Sequence, residues 1–175
     1  MRRRKNSLRL GGWDYSQAGY YFITICTQDK AKLFGIIDQG RMRLSANGHI
    51  IKRCWRDLAK HYHCRLDAFI IMPDHIHGII ILKDQIRAIH ESPPRGFPEP
   101  PPPQESWQLS RRRMLISKLI GRFKMRSSKA IHTMNRSSQP LWQRGYYDHI
   151  IRTEQALGNI RNYIRRNPQA AASRK

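Results

Sequence analysis

At 175 residues with a formal net charge of +21, the chain is long enough for one domain with its own apolar core, and far more basic than an ordinary soluble surface requires. Like charge at that density opposes compaction and asks for a polyanionic partner, nucleic acid before membrane. No run approaches the roughly 20 apolar residues of a membrane-spanning helix, and no apolar signal stretch follows the basic start, so a cytoplasmic, nucleoid-associated protein is expected.

A single domain over 1–175 is predicted, beginning with a basic arm, 1–12, that holds Arg2, Arg3, Arg4 and Lys5. Residues 20–27 alternate aromatic and β-branched side chains and predict a strand. The segments 33–37 and 42–44, on either side of Asp38-Gln39-Gly40-Arg41, predict a hairpin. From Ser45 to about His61 the apolar spacing predicts one helix, with Ile50, Ile51, Cys54, Trp55 and Leu58 on one side. Two strands follow, 64–72 and 75–83. Seven of the ten prolines fall between Pro93 and Pro103, so 84–108 reads as an insertion that serves as a spacer or as a proline-rich ligand. Beyond it Leu115, Leu119, Ile120 and Phe123 give a helix its core face, while Lys118, Arg122, Arg126 and Lys129 line a neighbouring one. No acidic residue stands between Glu105 and Asp148, whereas ten Lys or Arg do, so that stripe is expected to contact phosphates. Cys26, Cys54 and Cys64 lack zinc-like pairing and read as reduced, mostly buried thiols. His61-Tyr62-His63-Cys64 has no partner motif downstream and reads as surface.

The chemistry concentrates in two places. In Pro73-Asp74-His75-Ile76-His77-Gly78, at the turn between two apolar runs, strand alternation sends His75 and His77 to one side and Ile76 to the other. Two imidazoles side by side suit a divalent metal, although a His-x-His on a strand also fits ordinary packing. Near the C-terminus, Leu157, Ile160 and Ile164 form an apolar stripe, Thr153 is a fitting N-cap, and Pro168 predicts the stop. Tyr163 and Asn167, four apart, share one helix face at the edge of that stripe.

Three segments, Pro73 to Gly78, Leu141-Trp142-Gln143-Arg144-Gly145-Tyr146-Tyr147-Asp148-His149-Ile150-Ile151-Arg152 and Asn162-Tyr163-Ile164-Arg165-Arg166-Asn167-Pro168, together with residues 7–27, resemble the REP-associated tyrosine transposases. These belong to the single-tyrosine transposases whose signature is His, a hydrophobic residue, His. The resemblance implies an α+β, ferredoxin-like and RRM-related fold: an antiparallel sheet with flanking helices, the His pair on a central strand, and a C-terminal helix carrying the nucleophile. It implies a metal-dependent single-stranded DNA endonuclease and strand transferase acting on hairpin-forming repeats. Tyr163 would be the catalytic nucleophile, with His75, His77 and Asn167 holding Mg²⁺ or Mn²⁺, and a 5′-phosphotyrosine as the intermediate. Such mixed nitrogen and oxygen donors suit either ion, manganese being the better match to imidazole. His149 is a secondary candidate for the metal or the phosphate. Arg2, Arg3, Arg4, Lys5, Lys118, Arg122, Arg126 and Arg144 are the expected DNA contacts, and Trp13 and Tyr15 lie where an unpaired tag at the foot of a hairpin would be read. Asp74 departs from the family, in which Asn is common at this place.

The expected partner is single-stranded or hairpin DNA, met by a monomer or homodimer. A non-catalytic DNA- or RNA-binding regulator would keep the fold and the basic surface without needing Tyr163 or the His pair. A replication-initiator or relaxase-like nickase would share the chemistry, and the small size argues against it.

Overall fold

The computed structural model describes residues 18–62, 64–82 and 115–173, so the basic arm 1–12 with Arg2, Arg3, Arg4 and Lys5, Trp13 and Tyr15, and the insertion 84–108 lie outside the described residues. In chain order the elements are β1 (Gly19–Cys26), β2 (Gly35–Asp38), β3 (Arg41–Leu44), α1 (Ala46–Arg56), α2 (Leu58–His61), β4 (Cys64–Ile71), β5 (His75–Leu82), α3 (Leu115–Asn135), β6 (Tyr147–Ile151) and α4 (Glu154–Ala172). Strands β4-β5-β1-β6 lie side by side in that order, every pairing antiparallel, and β2 and β3 form a separate hairpin. Without the hairpin, the order of elements is that of the ferredoxin-like split βαβ unit. The expected α+β fold is therefore the one observed, with the His pair on an interior strand.

Each strand of the sheet alternates two faces, and each face has its own helices. Tyr21, Ile23 and Ile25 of β1, with Ile76 and Ile80 of β5, are buried in one core with Ile51, Trp55, Leu119, Ile120 and Phe123 from α1 and α3. The other face, with Phe22, Ile79 and Ile151, meets Leu157 and Ile164 of α4. Thus α1 and α3 cover one side and α4 the other.

Gly78 shows how tightly the first core is closed. A Cβ built there would stand 2.3 Å from Cζ2 of Trp55. That ring has nowhere to go, being stacked on Phe69 with centroids 4.7 Å apart and set edge-on to Phe123. Gly78→Ala is accordingly expected to destabilise the protein by about 1–3 kcal/mol through overpacking, measured as a lower urea midpoint at unchanged slope.

Several local expectations need correction. The helix predicted from Ser45 to His61 is capped by Ser45, whose hydroxyl accepts from the Gly48 amide, but it is interrupted at Asp57. There the Lys60 amide bonds to the Asp57 carbonyl, a tighter three-residue turn. Pro168 does not stop the last helix, which runs on to Ala172. Its ring is buried on the same stripe as Leu157 and Ile164, and the next residue, Gln169, packs on Gly40 of the hairpin. These contacts offset the missing amide donor. Cys64, the first residue of β4, is not surface but buried in the core, whereas His61 is exposed and His63 lies outside the described residues.

Candidate functional site

The site begins at a turn held from three directions. The Thr27 amide donates to the Asp74 carbonyl at 2.9 Å, the Phe34 amide to the Pro73 carbonyl at 3.0 Å, and the Met72 amide to the His75 carbonyl at 2.8 Å. The start of β5 is thereby fixed, and register does the rest. On β1, Cys26 faces His75, Thr24 faces His77 and Phe22 faces Ile79, so these side chains share the face that α4 covers.

On that face the two imidazoles converge. Nε2 of His75 and Nε2 of His77 stand 3.2 Å apart. Their outer nitrogens are both engaged, Nδ1 of His75 with Oδ1 of Asp74 at 2.5 Å and Nδ1 of His77 with the Thr24 hydroxyl at 2.8 Å. A carboxylate can only accept, so Nδ1 of His75 carries a proton, and the neutral form of that ring presents its lone pair at Nε2. When Thr24 likewise accepts, Nε2 of His77 presents a second. His77 is 5% exposed, and burial with the adjacent His75 pushes its pKa down to about 4 against the pull of Asp74. It is therefore neutral, and able to donate a lone pair, across the physiological range.

Tyr163 reaches this pair from α4. Thr153 caps the helix by accepting from the Ala156 amide, Leu157 and Ile164 bury its inner stripe, and Arg161 is paired with Asp67 of β4 at 2.7 Å. Tyr163 is left at the margin, 51% exposed, its hydroxyl 3.3 Å from Nε2 of His77. Phe22 lies between the elements, stacked on His77 at 5.4 Å and edge-on to Tyr163 at 6.2 Å. A half-exposed phenol beside two imidazoles is open to a large anionic substrate.

The other expected residues are distributed differently. Asn167 lies one turn beyond Tyr163 on α4, half-buried, with no hydrogen bond to either imidazole among the described residues. His149 is exposed on β6, opposite Phe22, so it shares the site face one strand beyond β1. Tyr147, opposite Thr24, also faces that side, whereas Tyr146 is bonded to Ser117 of α3 on the other. Arg144 is exposed in the loop before β6, where Lys124 donates to the Gln143 and Gly145 carbonyls. Lys118, Arg122 and Arg126 are exposed on α3, across the sheet from Tyr163. Phe22 and Thr24 were not anticipated. Alternation places them on one face of β1, but which face, and opposite which histidine, depends on pairing with a strand about 50 residues away.

The donor set can be tested against a divalent cation. Among the described residues no three His, Cys, Asp or Glu side chains are grouped to hold one, so His75 and His77 need an amide or solvent oxygen to complete the set. Two nitrogens each about 2.1 Å from one ion, at tetrahedral or octahedral angles, stand about 3.0–3.4 Å apart. The 3.2 Å separation of the Nε2 atoms falls inside that interval. The residues fit.

An uncharacterized protein of Haemophilus influenzae is 34% identical over 168 residues, spanning 94% of this chain and 88% of its own length. A second protein of that organism, bearing the name REP-associated tyrosine transposase, is 24% identical over 160 residues, or 89% of this chain and 73% of its own. Among solved structures, a REP-associated tyrosine transposase bound to a REP hairpin superposes with a TM-score of 0.55 at 14% identity, covering 89% of this chain and 69% of that one. A protein of Deinococcus radiodurans R1 described as a transposase gives 0.50 at 16% identity, with 90% and 96% covered. No family model matches. No helix among the described residues is long and apolar enough to cross a membrane.

Proposed function

We propose that this chain is a REP-associated tyrosine transposase, a reading supported by its 24% identity to a protein of that name, and that it cleaves and rejoins single-stranded DNA beside hairpin-forming repeats, with Tyr163 as nucleophile. The observation that carries this reading is the meeting of three groups from distant parts of the chain: two imidazole nitrogens 3.2 Å apart and a phenol 3.3 Å from one of them.

A tyrosine hydroxyl is a weak nucleophile, with a reference pKa near 10, so the phosphate must be activated and held in line. Mg²⁺ or Mn²⁺, held by Nε2 of His75, Nε2 of His77 and the side-chain oxygen of Asn167, would supply a Lewis acid for a non-bridging phosphate oxygen. The chain's own residues do the remainder. Asp74 and Thr24 hold the imidazoles in one tautomer, and Phe22 keeps His77 and Tyr163 in mutual orientation. The Tyr163 oxygen forms a bond to phosphorus while the bond from phosphorus to the 3′ oxygen breaks. The phenolic proton leaves to solvent at the half-exposed hydroxyl, and the departing 3′ oxygen takes up a proton. A 5′-phosphotyrosine and a free 3′-hydroxyl result, and reversal on a new end rejoins the strand without a nucleotide cofactor.

The test is incubation of the full chain with a labelled single-stranded hairpin oligonucleotide, with and without Mg²⁺ or Mn²⁺, followed by a denaturing gel. A shifted, metal-dependent adduct supports the enzyme. Binding with no adduct under any cation leaves the non-catalytic regulator. A finer expectation concerns Thr24. Removing its hydroxyl in Thr24→Val frees Nδ1 of His77, and losing such an orienting partner should weaken Mn²⁺ binding about 10–100-fold. Calorimetry on the folded variant showing wild-type affinity would remove Thr24 from this role.

A further inference from the structure

Lys124 of α3 is half-buried, burial lowers its pKa, and it pairs with no carboxylate among the described residues. Its ammonium donates instead to two backbone carbonyls, Gln143 at 2.6 Å and Gly145 at 2.9 Å. Arg144, which is exposed, stands between them. The same helix grips this segment on either side of Arg144. Nε1 of Trp142 donates to the Ser127 hydroxyl at 3.0 Å, and the Tyr146 and Ser117 hydroxyls are bonded at 3.0 Å. From Thr27 to Thr24 β1 advances three residues, while the facing chain takes five from Trp142 to Tyr147, so two extra residues form a bulge. Gly145 supplies the positive φ of +81° that the bulge uses. The Gln143 amide donates to the Cys26 carbonyl, and Cys26 faces His75, so the bulge stands level with His75 with β1 between them. Two strand spacings place it about 10 Å from β5.

We infer that Lys124 is a positioning residue: by bridging those two carbonyls it fixes the bulge that presents Arg144 to a phosphate next to the scissile one. Backbone carbonyls turned toward a half-buried space need donors, and an ammonium brings three, enough to hold both sides of the bulge at once. The ammonium also sits against the backbone of a second cation. No acidic residue from Leu115 to Tyr147 offsets either charge, which favours an anion arriving at Arg144. A group about 10 Å from β5 does not join the metal ligands. It meets a neighbouring phosphate of a strand that passes over His75 and His77. This inference deepens the cleavage reading, and takes from it only the place where the single strand passes.

The experiment uses the full chain with Lys124→Met, Arg144→Gln and the two combined, and reads anisotropy on labelled oligothymidine over a salt series. Arg144→Gln should flatten the log–log salt slope by about 0.7, the loss of one phosphate contact on a single strand. Lys124→Met should flatten it equally, and the double variant no further, because both remove the same contact. Gly145→Val reaches the bulge from the loop itself. A β-branched residue disfavours the positive φ there, and its Cβ meets no neighbouring atom within 4 Å. It should give the slope of Lys124→Met, which keeps the inference open to refutation even if that variant does not fold. Mn²⁺ affinity by calorimetry should be unchanged in every variant. A double variant flatter by about 1.4 would make Lys124 a phosphate ligand in its own right and overturn the inference. A wild-type slope in Lys124→Met or Gly145→Val would overturn it as well. So would a loss of Mn²⁺ affinity, which moves the effect to the His pair. If the wild-type chain forms no adduct while the slopes behave as expected, only the cleavage reading fails.

Discussion

Tyr163→Phe is expected to abolish the covalent protein–DNA adduct while leaving affinity for the hairpin oligonucleotide nearly intact. The substitution removes one oxygen from a side chain that is half exposed, so little packing is lost. Its ring still meets Phe22 and His77 edge-on, at the 6.2 Å and 5.3 Å centroid distances of the native tyrosine. Only the attacking atom is gone. On a denaturing gel the shifted band should fall to background, and a binding titration should barely move. A phenylalanine variant that still forms the adduct would transfer the nucleophile to another hydroxyl. Tyr147 is then the candidate, since it stands opposite Thr24 on the same face, whereas Tyr146 bonds to Ser117 of α3.

Removing either imidazole is expected to have an equally large effect, and on cation binding as well as cleavage. His75→Ala is the cleaner variant, because its side chain is about a quarter exposed and packs less closely than that of His77. Cleavage should be lost, and Mn²⁺ affinity by calorimetry should drop at least as far as for an orienting partner, about 10–100-fold. His77→Ala should do the same and also loosen the site, since Phe22 stacks on that ring. A lower melting temperature in this variant alone would separate the packing role from the ligand role. Asn167→Ala should be milder, as water can replace an amide oxygen. Unchanged Mn²⁺ affinity in His75→Ala, with the fold intact, would sink the ligand assignment.

Some of this architecture is local and therefore legible in the residues themselves. Strand alternation has a period of two, so it places His75 and His77 on one side without reference to anything else. Helix capping and amphipathic spacing act within a turn or two. That is why Thr153 caps as predicted, and why Leu157 and Ile164 form the buried stripe. The +21 charge, and the absence of acids along α3, point to a polyanion without any coordinates.

Tertiary structure decided what depends on distant segments burying one another. Pairing register set Thr24 against His77 and Cys26 against His75, and a slip of one residue would have turned Phe22 and Thr24 to the wrong face. Burial of Pro168, with Gln169 packed on the hairpin, carried α4 past a residue whose local chemistry ends helices. Layer assignment sent α4 to one side of the sheet and α1 with α3 to the other. The basic stripe of α3 and Tyr163 of α4 therefore stand on opposite faces. Apolar spacing tells a helix which of its sides to bury, but the side of the sheet it covers follows from the handedness and order of the whole split βαβ fold.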